Sequence, residues 1–152
     1  MSENVNTPKY DKSNWQKGLG WENEADRVDF IHAGFSCLIL RNHSGNWCGY
    51  VGVPKEHPAY DMDMYDIPVD VHGGVTYKER CAGHICHVPQ PGMPDDVMWI
   101  GFDTAHAWDV SPGRPHELRF NNPNGEPGVT YKNQAYVTQE TKQLAEQLAK
   151  LK

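Results

Sequence analysis

Two apolar runs, Phe35-Ser-Cys-Leu-Ile-Leu-Arg41 and Trp47-Cys-Gly-Tyr-Val-Gly-Val53, flank the turn-forming stretch Asn42-His-Ser-Gly-Asn46. β-type runs joined by turn chemistry predict an antiparallel hairpin, and a hairpin commits the surrounding chain to supply a sheet. Gly49 and Gly52 inside the second run point to a bulge or to close approach by another backbone, and Pro54 ends it. Cys37 and Cys48 flank the hairpin and could face each other; the expectation is two small, buried, reduced residues. A third run, Val97-Met-Trp-Ile-Gly-Phe102, reads as a central strand, with Asp103-Thr-Ala-His106 at its exit.

The segment Val69-Asp-Val-His-Gly-Gly-Val-Thr-Tyr77 alternates apolar and polar residues, which predicts a half-buried strand interrupted or bent by its glycine pair. Before it, Lys55 to Pro68 reads as an acidic, aromatic loop. Near the C-terminus, Val137, Thr141, Leu144, Leu148 and Leu151 recur at spacings of three and four with Glu, Gln and Lys between them. That is an amphipathic helix of about four turns with its apolar stripe across the sheet. The fold class is therefore α+β: one antiparallel-to-mixed sheet, long irregular loops and a C-terminal amphipathic helix packed on it.

At 152 residues the chain is the size of one domain. Residues 1–20 read as a loosely ordered arm that Trp15 and Trp21 pin to a body spanning 21–152, and the stretch from Ser111 to Gly128, with four prolines and three glycines, as an irregular loop. The net charge of −6 argues against a duplex-nucleic-acid partner, which calls for a basic face. No apolar run approaches the ~20 residues that span a bilayer, and the polar start resembles no signal peptide. These features imply a soluble, cytoplasmic protein with reduced thiols and no membrane partner.

Chemistry-bearing side chains crowd one stretch. His72, Cys81, His84, Cys86, His87, Asp103, His106 and Asp109 all fall between Val69 and Asp109. Cys81, Cys86 and His87 offer soft and imidazole ligands for zinc or another divalent metal, which His72 or His106 could complete, since neighbouring donors alone cannot easily surround one ion. The plainer account is a buried reduced cysteine beside a histidine bonded to backbone. Asp103 and His106, three residues apart at a strand end, can converge so that the carboxylate fixes the imidazole tautomer, and Asp109 follows. Against this stands a structural role in which Asp103 caps a turn and His106 closes a hydrogen bond across the loop. Gly73 and Gly74 permit close approach to the backbone and could expose N–H groups to an anion, or could simply form a bulge. Trp108 beside the charged motif suits ligand stacking, with Arg80 near enough in sequence to meet a phosphate.

Several words in the chain carry a resemblance: Glu24-Ala-Asp-Arg-Val28, Cys48-Gly-Tyr-Val-Gly-Val-Pro54 with His57-Pro58, Val69-Asp-Val-His-Gly-Gly-Val-Thr-Tyr77, Ile85-Cys-His-Val-Pro-Gln-Pro-Gly92, Asp95-Asp-Val97 and Trp99-Ile-Gly-Phe-Asp-Thr-Ala-His106. Over roughly residues 21–150 the chain resembles a family of small uncharacterised proteins carried by phages, prophages and assorted bacteria. The resemblance implies an architecture and a candidate site rather than a mechanism. Similar sequences often carry Cys at the position of Thr104 and Gly at that of Trp108, so a thiol at 104 is not obligatory here.

Two functions follow as expectations. The first is a small-molecule-binding protein, phage-encoded and acting in the host cytoplasm, that sequesters a nucleotide-like defence signal. Its pocket would be formed by His72, Gly73, Gly74, Arg80, Asp103, His106, Trp108 and Asp109. The second is a small metal-dependent hydrolase using the same cluster with Cys81, Cys86 or His87. A structural or adaptor role is the third option, and an oligomer is compatible with all three.

Overall fold

The computed structural model describes residues 9–86, 96–106, 109–113 and 130–151. Five strands, β1 (Arg27–His32), β2 (Phe35–Arg41), β3 (Trp47–Val53), β4 (Tyr77–Glu79) and β5 (Met98–Asp103), form one sheet in the order β1-β2-β3-β5-β4. Every pairing is antiparallel. One helix, α1 (Gln134–Ala149), lies against β2 and β3. This is the expected α+β architecture, with the sheet wholly antiparallel.

The hairpin pairs Leu40 with Cys48 and Cys37 with Val51. Side chains alternate across a pleat, so the two cysteines take opposite faces and do not meet. Both are free and buried, and burial foremost pushes each thiol up to about 12, which keeps them protonated. β3 keeps an unbroken register with β5, so Gly49 makes no bulge. A Cβ there would lie 2.2 Å from Thr141 Oγ1 of α1 and 2.5 Å from the Phe102 ring. The close approach therefore comes from a helix side chain and a neighbouring ring.

The α1 face of the sheet buries Cys37, Ile39, Val51, Val53, Ile100 and Phe102 against Val137, Leu144, Ala145 and Leu148. Asn133 caps the helix, its Oδ1 accepting from the Tyr136 amide at 2.9 Å. On the opposite face Leu38, Leu40, Cys48, Tyr50, Val97 and Trp99 are covered by Tyr77, Cys81 and Ile85. Over the described part of the N-terminal segment, Trp15 and Trp21 are buried and meet edge to face at 5.2 Å.

Two readings are corrected. Residues 69–76 form no strand: Gly73 (φ +70°) and Gly74 (φ +81°) lie in the left-handed region and the Gly74 amide donates to Val71 O at 2.8 Å, closing a turn. Consecutive left-handed residues cannot extend a pleat, so strand pairing begins only at Tyr77. β1 was not foreseen, although Arg27-Val-Asp-Phe-Ile-His32 followed by Ala33-Gly34 carries the alternation and the turn.

Candidate functional site

The turn at 72–74 comes to rest on α1 through three polar side chains of the helix. Gln147 takes both backbone groups of Asp70, accepting from its amide at 2.7 Å and donating to its carbonyl at 2.8 Å. Glu140 accepts from the His72 amide at 2.9 Å, and the Tyr136 hydroxyl sits 2.8 Å from His72 Nδ1. Below them, buried Val71 anchors the turn in the core. His72 is thus held by its backbone and by its ring.

The segment after β5 brings the second imidazole. Thr104 is buried, its hydroxyl donating to Trp47 O at 2.7 Å, and Asn46 Nδ2 donates to Thr104 O at 2.6 Å. Position 104 therefore holds the loop rather than reaching any ligand. Asp103 Oδ1 caps the Ala105 amide at 3.0 Å, and its Oδ2 accepts from the Thr76 hydroxyl at 3.1 Å. Asp109 folds back over the turn: its Oδ2 accepts from the His106 amide and from His106 Nδ1, each at 3.0 Å. The expected Asp103–His106 pair is present as a 3.7 Å ion pair between Oδ1 and Nε2, while the hydrogen bond that fixes the ring is made to Asp109. A parallel bridge between Asp109 and Thr130 brings Lys132 beside it.

The two loops meet at one atom. His72 Nε2 donates to the same Asp109 Oδ2 at 3.0 Å, while Lys132 Nζ pairs with Oδ1 at 3.1 Å. Asp109 is wholly buried, His72 is 7% exposed at its side chain and His106 21%. Burial alone would raise the Asp109 carboxyl; the bonds from His72 and His106 outweigh it and hold the group at about 2, so it stays ionised. Tyr136 is shifted the other way, raised first by burial and then by Glu140 and Asp109, so its hydroxyl keeps its proton. Gly73 completes the packing: a Cβ there would lie 2.3 Å from His106 Cε1, and its left-handed φ independently favours glycine.

His72, Gly73, Asp103, His106 and Asp109 are therefore brought together. Gly74 borders them with its amide already used by Val71 and with open space where a side chain would stand. Of the expected glycine N–H groups, that of Gly74 donates within the chain, to Val71 O. Arg80 is exposed and lines a separate hollow of about 490 Å³ with Glu79, Cys81, Ala82 and Asp96. Trp108 and His87 lie outside the described residues.

The metal reading of Cys81 and Cys86 is overturned. Their sulfurs form a disulfide, Cα to Cα 4.6 Å, so neither is a thiolate that could hold an ion. The cause is local. Gly83 at φ +57° and the paired bonds between Ala82 and Ile85 fold Cys81-Ala-Gly-His-Ile-Cys86 into a tight turn that places the two sulfurs together. The expectation of reduced thiols fails at this pair. The buried Arg27 guanidinium holds the same turn by donating to His84 O and Cys86 O at 2.5 and 2.6 Å.

Sequence reasoning missed Lys132, Tyr136, Glu140 and Gln147. The readable signal was on the helix: positions 136, 140 and 147 are spaced by four and seven and lie on one stripe beside the apolar one. The fold and this cluster define a small α+β protein whose two histidines and one aspartate converge at the helix edge of the sheet. Comparison of the chain with protein-family models, with curated proteins and with solved structures finds no match. No helix among the described residues is long and apolar enough to cross a membrane.

Proposed function

We propose that this protein captures a small, nucleotide-like molecule at the His72–Asp109–His106 cluster. The observation that carries the reading is the convergence of two imidazoles, distant in sequence, on Asp109 Oδ2 beside the 37% exposed Tyr136. Here polar hydrogen-bonding groups gather beneath a partly exposed aromatic ring, the combination that small-molecule sites use to orient a polar ligand and cover its flat part. Lys132 lies 6.0 Å from the Tyr136 ring centroid and offers a cation near the same spot. In the phage setting that the family resemblance implies, such capture in the host cytoplasm would withdraw a defence messenger.

A second reading, hydrolysis, draws on a specific feature. The bond from His106 Nδ1 to Asp109 fixes the ring so that Nε2 faces Asp103, the orientation in which an imidazole serves as a general base. One experiment separates the two. The purified protein is incubated with a mixture of mono-, di- and cyclic nucleotides, washed, heated, and the released material identified by mass spectrometry. Capture predicts an intact nucleotide that His106→Gln no longer retains while the variant still melts cooperatively. Altered products would establish the hydrolase instead, and no retained or altered nucleotide would overturn both.

A further inference from the structure

We propose that His72 Nε2, His106 Nδ1 and Asp109 Oδ2 are the three protein ligands of a divalent transition-metal site, zinc suiting them best, whose fourth position takes an oxygen of the captured ligand. The inference rests on the capture reading above and names the group that would do the holding. Its first support is geometric. One ligand atom from each of His72, His106 and Asp109 lies within 4.8 Å of the other two, and Asp109 Oδ2 is 3.0 Å from His72 Nε2 and from His106 Nδ1. Tetrahedral zinc with bonds of about 2.0–2.2 Å separates its ligand atoms by about 3.4 Å, so the ion is admitted once each imidazole nitrogen draws a few tenths of an ångström from Oδ2 and the two nitrogens settle at that same spacing.

The surroundings of the three donors supply the second support. A metal-binding histidine characteristically has its other ring nitrogen held by an oxygen, which fixes the tautomer and aims the ring. Tyr136 Oη stands 2.8 Å from His72 Nδ1 and supplies that oxygen, while Asp103 Oδ1, 3.7 Å from His106 Nε2, is a charged neighbour beyond hydrogen-bond distance. Asp109 has the equivalent: Lys132 binds Oδ1 at 3.1 Å, which leaves Oδ2 turned toward the imidazoles. Tyr136 can either donate or accept, so moving the His72 proton from Nε2 to Nδ1 keeps that bond. A neutral His106 carries one ring proton but meets a carboxylate at both nitrogens. A metal at Nδ1 lets that proton go to the Asp103 side, resolving the competition.

Charge supplies the third support. Asp103, Asp109 and Glu140 place three carboxylates around the cluster against the Lys132 ammonium. With both imidazoles neutral these four groups, among the described residues, sum to two negative charges, which matches a divalent cation. The donor set, two imidazoles and a carboxylate, is also one that zinc takes in sites with an open position.

The test uses Zn2+ alone on tag-free, chelator-treated full-length protein. Equilibrium dialysis with metal analysis should give one ion per chain, and the ring nitrogen resonances of His72 and His106 should shift together and saturate at that ratio. The Cys81→Ser, Cys86→Ser double variant should bind as tightly as the parent, whereas Asp109→Asn should bind at least tenfold more weakly. Tyr136→Phe should weaken binding by about 10–100-fold, as loss of an outer hydrogen bond does in other metal sites. Absence of uptake overturns the proposal, as do shifts confined to other histidines; because the resonances are read in the unaltered chain, a misfolded variant leaves the outcome decided. Nucleotide retained after chelation rejects the metal and keeps capture. Zinc bound at these rings with no nucleotide retained keeps the metal and rejects capture.

Discussion

Arg41 and Asp109 are both buried charges beside the central strands, and both draw a partner from the segment leading into α1, yet they are satisfied in opposite ways. The Arg41 guanidinium donates to Glu24, Asp26, Gly45 O and Tyr131 Oη, and stacks 4.5 Å from the Trp47 ring. Glu24 in turn accepts from Trp47, Tyr131 and the Gln134 amide. A guanidinium keeps its charge at any ordinary pH and its planar fork admits few alternatives. Around Asp109 the donors are two imidazoles and an ammonium, groups that exchange protons or partners, and His106 and Asp103 keep 21% and 34% of their side chains exposed. The difference teaches that burial of charge alone does not mark a site. A closed knot of fixed charge ties the chain together; a cluster of exchangeable donors with one side open can accept something from outside.

The largest expected effect would break the knot. Arg41→Met leaves Glu24 and Asp26 without their cation and should cost about 3–5 kcal/mol in urea unfolding; a cost below about 1 kcal/mol would mean that the two clusters do not differ as argued. Next is acid sensitivity. Burial raises the Glu24 carboxyl, but its bonds from Tyr131, Gln134, Trp47 and Arg41 prevail and leave it below the ordinary carboxylate range. Its contribution to stability is therefore complete above the unfolded-state pKa of about 4.3 and is lost as pH falls through the lower folded value. Glu24→Gln should flatten the acid limb of a melting-temperature profile, and a limb as steep as the parent's would contradict the assignment. The smallest effect sharpens the comparison from the other side. Tyr136→Phe removes one partly exposed hydrogen bond and should cost about 1 kcal/mol or less, while nucleotide retention falls measurably.

The sequence disclosed those parts whose signal is local. The hairpin runs 35–41 and 47–53 coincide with β2 and β3, and the third run lies one residue ahead of β5. The stripe of Val137, Thr141, Leu144 and Leu148 is the buried stripe of α1. What stayed hidden depends on contacts between distant segments. Asp109 rather than Asp103 became the close partner of His106 because the 106–109 turn folds back, and the role of Lys132 required the bridge from Asp109 to Thr130. Glu24-Ala-Asp-Arg-Val28 stood out as a word before its purpose was visible: Glu24 and Asp26 hold Arg41, and Arg27 holds the 84–86 turn. The disulfide escaped notice because two cysteines five positions apart suggest ligands and crosslink equally until Gly83 shows its left-handed turn.

The paired grip of Gln147 on Asp70 has a mechanical corollary. With no strand of its own, the peptide that presents the first imidazole borrows its alignment from the winding of the helix, about three turns along from the residue that meets the ring. Whatever occupies that spot is consequently gauged against a rigid rod rather than a pliant loop, and the angular phase of the rod becomes part of its recognition.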